Sequence, residues 1–163
     1  MQRLSSTHGG HALIPQQLGA FPPMSLSRTR LSPALVNAGL VDELEVMFGS
    51  VKSFPFHFRT VRWFGDRVVW LAPEPDGPFR QMTALVTRRW PDYQPCGGRY
   101  ADAIPHLTIA EGGQPDEMKR AARQVAGALP VAAVAREVWL MSGSTAPGSW
   151  SVLAVFPLAR LSR

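Results

Sequence analysis

The chain reads as an α+β protein with a duplicated plan. Three observations carry that reading. Helical and alternating apolar periods follow one another along the chain. Residues 33–71 and 116–158 each run a helix and then two strands. A further strand, Pro105-His106-Leu107-Thr108-Ile109-Ala110, directly precedes the second of these stretches. A duplication then demands a matching strand before the first stretch, within residues 22–31.

The elements follow in order. In residues 1–30, Gly9, Gly10, Pro15, Gly19, Pro22 and Pro23 interrupt every period, so this stretch is an irregular N-terminal arm or a degenerate first strand. Residues 31–163 form one domain. Ser32-Pro33 reads as a helix start, with serine at the cap and proline in the first turn. Leu35, Val36, Leu40, Leu44, Met47 and Phe48 recur at helical spacing, and Gly49 stops the helix. Phe54 to Val61 alternates, with Phe54, Phe56 and Phe58 on one face and His57 and Arg59 on the other. Gly65-Asp66 turns the chain into a second strand, Arg67 to Leu71, which Ala72-Pro73-Glu74-Pro75 ends.

Pro78 to Trp90 is amphipathic and helical, through Phe79, Met82, Leu85 and Val86. Asp92 to Ala103 is a loop that delivers the chain to the His106 strand, which Gly112-Gly113 breaks. Asp116 to Leu129 is a third helix with Met118, Ala121, Ala122, Val125 and Leu129 as its apolar stripe. Val131 to Met141 reads as one strand. After a small-residue turn, Trp150 to Leu158 pairs with it as a hairpin.

Composition narrows the function. Hydrophobic residues make up 45% of the 163, enough for a packed core and against global disorder. The formal charge is +5, and Lys52 and Lys119 are the only lysines. Arginine suits bidentate contact with phosphate, which leaves RNA or another phosphorylated partner open. Cys96 is the only cysteine, so no internal disulfide and no multi-cysteine zinc site can form. That fits a reducing, cytoplasmic setting. No apolar run is long enough to span a membrane, and the N-terminus lacks a secretory pattern.

His106 and Thr108 stand two residues apart in an apolar strand, so they share a face while Leu107 and Ile109 share the other. An imidazole can pass a proton near neutral pH, and a hydroxyl can donate to a phosphoryl oxygen. Other candidates read more plainly. Arg59 is a solvated surface arginine, and Gly97-Gly98 is a turn without the pattern of a phosphate cradle. Cys96 has no base beside it in sequence. Trp70, Trp139 and Trp150 fall at strand positions and are assigned to the core in preference to base-stacking platforms.

Three stretches resemble the 2H phosphoesterase superfamily, in particular its 2′-5′ RNA ligase-like members. They are Trp63-Phe64-Gly65 through Val69-Trp70-Leu71-Ala72-Pro73-Glu74-Pro75, Tyr93-Gln94-Pro95 through Pro105-His106-Leu107-Thr108-Ile109-Ala110, and Glu137-Val138-Trp139-Leu140-Met141 through Phe156-Pro157-Leu158. The resemblance implies a bilobal duplicated fold, with antiparallel sheets lining a central groove and helices packed outside. It implies two His-x-Thr/Ser motifs, one from each lobe, facing each other. One histidine activates water and the other protonates the leaving ribose oxygen of a 2′,3′-cyclic phosphate, while the hydroxyls hold the phosphate. No metal and no cofactor is needed. Some relatives join RNA ends through a 2′-5′ linkage.

The chain departs from this pattern at its first motif. His106 and Thr108 match the second. The aligned piece for the first is Pro22-Pro23-Met24-Ser25-Leu26, with Ser25 where a hydroxyl belongs but Pro23 where a histidine belongs. Proline cannot exchange protons. His11 lies about a dozen residues too early, and His57 has no role the resemblance transfers. The expected function is metal-independent hydrolysis of a 2′,3′-cyclic phosphate or related phosphodiester, impaired by the missing histidine. His106 and Thr108 are its catalytic residues and Ser25 a substrate ligand. The alternative is a non-catalytic binding protein for RNA ends or a small phosphorylated ligand. A monomer, free of membrane, is expected in either case.

Overall fold

The structure, a computed structural model, describes residues 36–98, 103–143 and 150–160. The class is α+β with antiparallel strand pairing, as expected. The elements run α1 (Ala38–Gly49), β1 (Phe54–Phe64), β2 (Val68–Glu74), α2 (Gly77–Arg89), β3 (Leu107–Glu111), α3 (Pro115–Ala126), β4 (Val131–Ala135), β5 (Glu137–Ser142) and β6 (Ser151–Pro157). A four-stranded sheet has the order β3-β2-β1-β4, and β5 and β6 form a two-stranded sheet. The chain divides into two compact units. The first contains His57–Glu74 and His106–Val131, and the other described residues belong to the second.

In the first unit, β2 lies between β1 and β3, antiparallel to both. Phe58, Val69, Leu71, Leu107 and Ile109 are buried on these strands. Helix α3 covers β2 and β3 with Met118, Ala121 and Val125. Its first turn is fixed by a capping box, in which Gln114 and Glu117 each satisfy a backbone N–H of the other's end. Gly112, at φ +69°, turns the chain out of β3, and its N–H donates to the Arg67 carbonyl at 3.0 Å. Only glycine takes that φ without strain.

In the second unit, α1 packs on β6, with Phe48 and Phe156 rings 5.8 Å apart. The Phe79 ring of α2 meets Phe54 and Phe56 edge-on at 4.9 and 5.0 Å. Such edge-to-face pairs contribute about 0.5–1.5 kcal/mol beyond area burial.

Several boundaries differ from the sequence reading: β1 runs on from Val61 to Phe64, β3 begins at Leu107 and not Pro105, and four others have a local reason. Helix α1 begins at Ala38 because Asn37 is extended, and its side-chain oxygen accepts from the Leu40 N–H at 2.9 Å. Strand β2 continues through Pro73 and Glu74, which pair with Phe58 and His57 of β1. Pairing with β3 ends at Leu71, so a proline there removes no ladder bond on that side. Helix α3 ends at Ala126 because Gly127 caps it, which leaves Leu129 outside. The single strand expected over Val131–Met141 is two strands in two sheets, parted at Arg136. The Arg136 carbonyl is bound by the Leu158 N–H at 2.8 Å. Of the three tryptophans assigned to the core, Trp70 is buried and Trp139 half-buried. Trp150 is exposed, since it precedes β6 at the edge of a two-stranded sheet.

Candidate active site

His106 immediately precedes β3, and Thr108 is the second residue of that strand. Both are half-buried. Two irregularities of register decide what they face. Along β3, Ala110 pairs with Val69 and Thr108 pairs with Trp70, so Ile109 is an extra residue in the ladder. A bulge of this kind re-aims the side chains that follow it. Ile109 and Ala110 both go into the apolar core, together with Leu107. Thr108, and His106 two residues before it, come to the face that carries Trp70.

The second irregularity lies in β1. Phe58 pairs with Pro73 and Val61 with Leu71, so Arg59 and Thr60 together oppose Ala72. Beyond this bulge the alternation reverses. Arg62 and Phe64 would share the face of Phe58 in an unbroken strand. Instead Arg62 pairs with Trp70, and Phe64 lies on the same side. The result is one cross-strand row, Arg62–Trp70–Thr108, with Phe64 and His106 on the same sheet face.

The rings in this face are in contact. Phe64 stacks on Trp70 with centroids 4.5 Å apart and planes at 19°. The His106 ring stands edge-on to Phe64 at 5.1 Å and to Trp70 at 5.9 Å. The Arg62 guanidinium lies 5.8 Å from the Trp70 ring centroid, within cation–π range. Trp70 is thereby only 4% exposed. Its Nε1 is the single buried side-chain polar atom among the described residues without a hydrogen-bond partner.

The arrangement brings together a proton-exchanging imidazole, a hydroxyl donor and a guanidinium on one face of one sheet. It does not bring the other candidates to them. His57 shares the face but pairs with Glu74, four residues along β2 from Trp70, roughly 13 Å at ordinary strand rise. Arg59 is engaged by Glu74 at 3.5 Å and both are exposed to solvent, which agrees with its plain reading. Pro95–Gly98 is a short 3-10 turn with Gly98 at φ +74°, so the glycine pair there does turn chemistry. Ser25, Pro23 and His11 lie outside the described residues. The side chain of Cys96 does too.

Arg62 and Phe64 were not legible as site residues. Their position depends on the β1 bulge, and no glycine or proline marks it in the sequence. Trp70 was legible as core, and it is core, but its burial is built from the site's own side chains. No described helix is long and apolar enough to cross a membrane.

Comparison with known proteins agrees with the resemblance. No curated protein matches the chain. Among solved structures, Escherichia coli LigT complexed with NADP+ is similar at 19% identity, over 76% of this chain and 70% of that one, with a TM-score of 0.48. LigT complexed with 3′-AMP is similar at 18% identity, over 76% and 71%, with a TM-score of 0.48. The crystal structure of a phosphoesterase is similar at 18% identity over the same shares, with a TM-score of 0.47. The model of the 2′-5′ RNA ligase superfamily matches residues 18–146, a span that holds β1, β2, β3 and every residue of the sheet face described above. This chain therefore belongs to the 2′-5′ RNA ligase superfamily.

Proposed function

We propose that the chain hydrolyses 2′,3′-cyclic phosphates, or closely related phosphodiesters, by metal-independent histidine acid/base catalysis at a reduced rate. The observation that carries this reading is the shared face of His106 and Thr108, with a guanidinium in the same cross-strand row. In the reaction, water adds to phosphorus and the bond from phosphorus to one ribose oxygen breaks. One group takes a proton from the water, and another gives a proton to the leaving oxygen. His106 performs one of these transfers. Thr108 donates to a non-bridging oxygen as negative charge builds on it.

The rate is reduced because the second transfer lacks its expected histidine. The matching piece of sequence carries Pro23 there, with Ser25 as the remaining hydroxyl ligand. Loss of one proton-transfer group typically costs about 10²–10⁴-fold. Turnover of nucleoside 2′,3′-cyclic phosphates by the purified chain tests the reading against His106→Ala. Turnover in the wild type that His106→Ala abolishes supports it, and equal rates in the two remove His106 from the mechanism.

A second reading follows from Pro23 itself. A site with one histidine can retain affinity without chemistry, which would make the chain a binding protein for RNA ends or small phosphorylated ligands. Saturable, salt-sensitive binding with no product distinguishes it from the first.

A further inference from the structure

We infer that Arg62 is a phosphate-binding residue of this site, and that the site recognises its ligand through the phosphodiester charge and not through stacking of a base. The inference rests on the placement of the reacting phosphate at His106 and Thr108 proposed above. Arg62 and Thr108 are both direct cross-strand partners of Trp70, on opposite sides of it. Their Cα atoms are therefore roughly 10 Å apart, two antiparallel strand spacings. A phosphoryl group held at ordinary charge-assisted distances on two sides spans roughly 8 Å from donor to donor. That span is within reach of two side chains that rise from one sheet face, one of them a long, exposed arginine.

The guanidinium is held against the middle residue of the row. It lies 5.8 Å from the centroid of the Trp70 ring, the side chain that stands between it and Thr108 in the row. A lysine in its place would keep the charge but lose the planar guanidinium's contact with the indole. The other arginine of this face is differently engaged, since Arg59 is paired with Glu74.

The same packing argues against base stacking on the indole. Phe64 stacks on Trp70, Arg62 lies over the ring, His106 meets it edge-on, and the side chain is only 4% exposed. A ring so enclosed offers no open face to a nucleobase. Charge is what the row presents, and every nucleoside 2′,3′-cyclic phosphate carries the same charge.

The test is titration of the wild type, Arg62→Ala, Arg62→Lys and His106→Ala with the 2′,3′-cyclic phosphates of adenosine, guanosine, cytidine and uridine, with turnover measured in parallel. Arg62→Ala is expected to weaken binding about tenfold or more, the worth of one charge-assisted contact. Arg62→Lys should recover part of the loss, and the salt sensitivity of binding should fall in Arg62→Ala. The four nucleotides should bind within a few-fold of one another. Unchanged affinity in Arg62→Ala, or a strong preference for one base, overturns this inference alone. Absence of turnover with Arg62-dependent binding overturns the hydrolase and leaves Arg62 in place. A wild type that binds none of the four overturns both. Thermal melting of each variant separates lost contact from lost fold. A lower melting temperature in Arg62→Ala with unchanged affinity assigns Arg62 to packing on Trp70 and overturns the inference.

Discussion

The imidazole of His106 stands edge-on to the ring of Phe64, with centroids 5.1 Å apart and planes at 88°. An aromatic ring presents positive edges and a negative face, so this contact favours one ring orientation over others. It fixes the direction of the imidazole before any ligand arrives. Phe64→Leu keeps an apolar side chain and removes the ring. Turnover should fall about tenfold, because small misplacements of a reacting group are costly. The melting temperature should move little, since Phe64 is only half-buried. Paired kinetics and melting curves check this, and an unchanged rate would show that Phe64 does not orient His106.

Trp70 supports two opposite expectations. Trp70→Ala removes a large side chain that is 4% exposed and stacked on Phe64, and should destabilise the protein by about 3–5 kcal/mol. Trp70→Phe also deletes the unpartnered buried Nε1–H, whose burial costs about 1–3 kcal/mol. The phenylalanine variant should therefore lose far less stability than the alanine variant. Denaturant unfolding of both compares them. Equal losses would mean that a phenylalanine ring does not take the place of the indole against Phe64.

Thr108 separates donor from volume. Thr108→Val keeps the β-branched shape that β3 favours and deletes the hydroxyl. Turnover of a cyclic phosphate should fall about 10²-fold, the usual cost of one donor to a developing oxyanion. Thr108→Ser should retain most of the rate. If valine and threonine turn over substrate alike, Thr108 is only a strand residue.

Asn37 tests the start of α1 found in the structure. Its side chain accepts from the Leu40 N–H at 2.9 Å. Asn37→Ala should cost about 1 kcal/mol, and Asn37→Gly only a few tenths. Activity should be unchanged in both, since α1 belongs to the second unit and the site to the first. Chemical denaturation with a parallel activity assay measures the two effects.

What the sequence discloses and what it hides divide along a physical line. Hydrophobic period reported α2, the β1–β2 hairpin and the β5–β6 hairpin, because each buries one face and the letters must repeat with the geometry. His106 and Thr108 were legible as a pair because i and i+2 share a face in any strand. Their neighbours were not. Phe64 and Arg62 join them only through the extra residue at Arg59–Thr60, and a bulge shifts register without a residue type of its own. The division of Val131–Met141 was hidden for a related reason. Apolar residues continue on both sides of Arg136, and only hydrogen bonding separates β4 from β5.

The extra residue Ile109 has a consequence for recognising relatives of this chain. Keep the same number of residues between Thr108 and the Gly112-Gly113 turn but pair them regularly from Val69, and Thr108 would stand opposite Leu71, in the apolar row. The letters His-x-Thr would survive intact while both side chains pointed into the core. A motif search would count such a protein as equipped. A relative one residue shorter in this stretch would keep its threonine opposite the place of Trp70 with no bulge at all. The interval from the histidine to the first glycine of the turn, six in this chain by position 106 and position 112, therefore calls for a bulge, and an interval of five calls for a regular ladder.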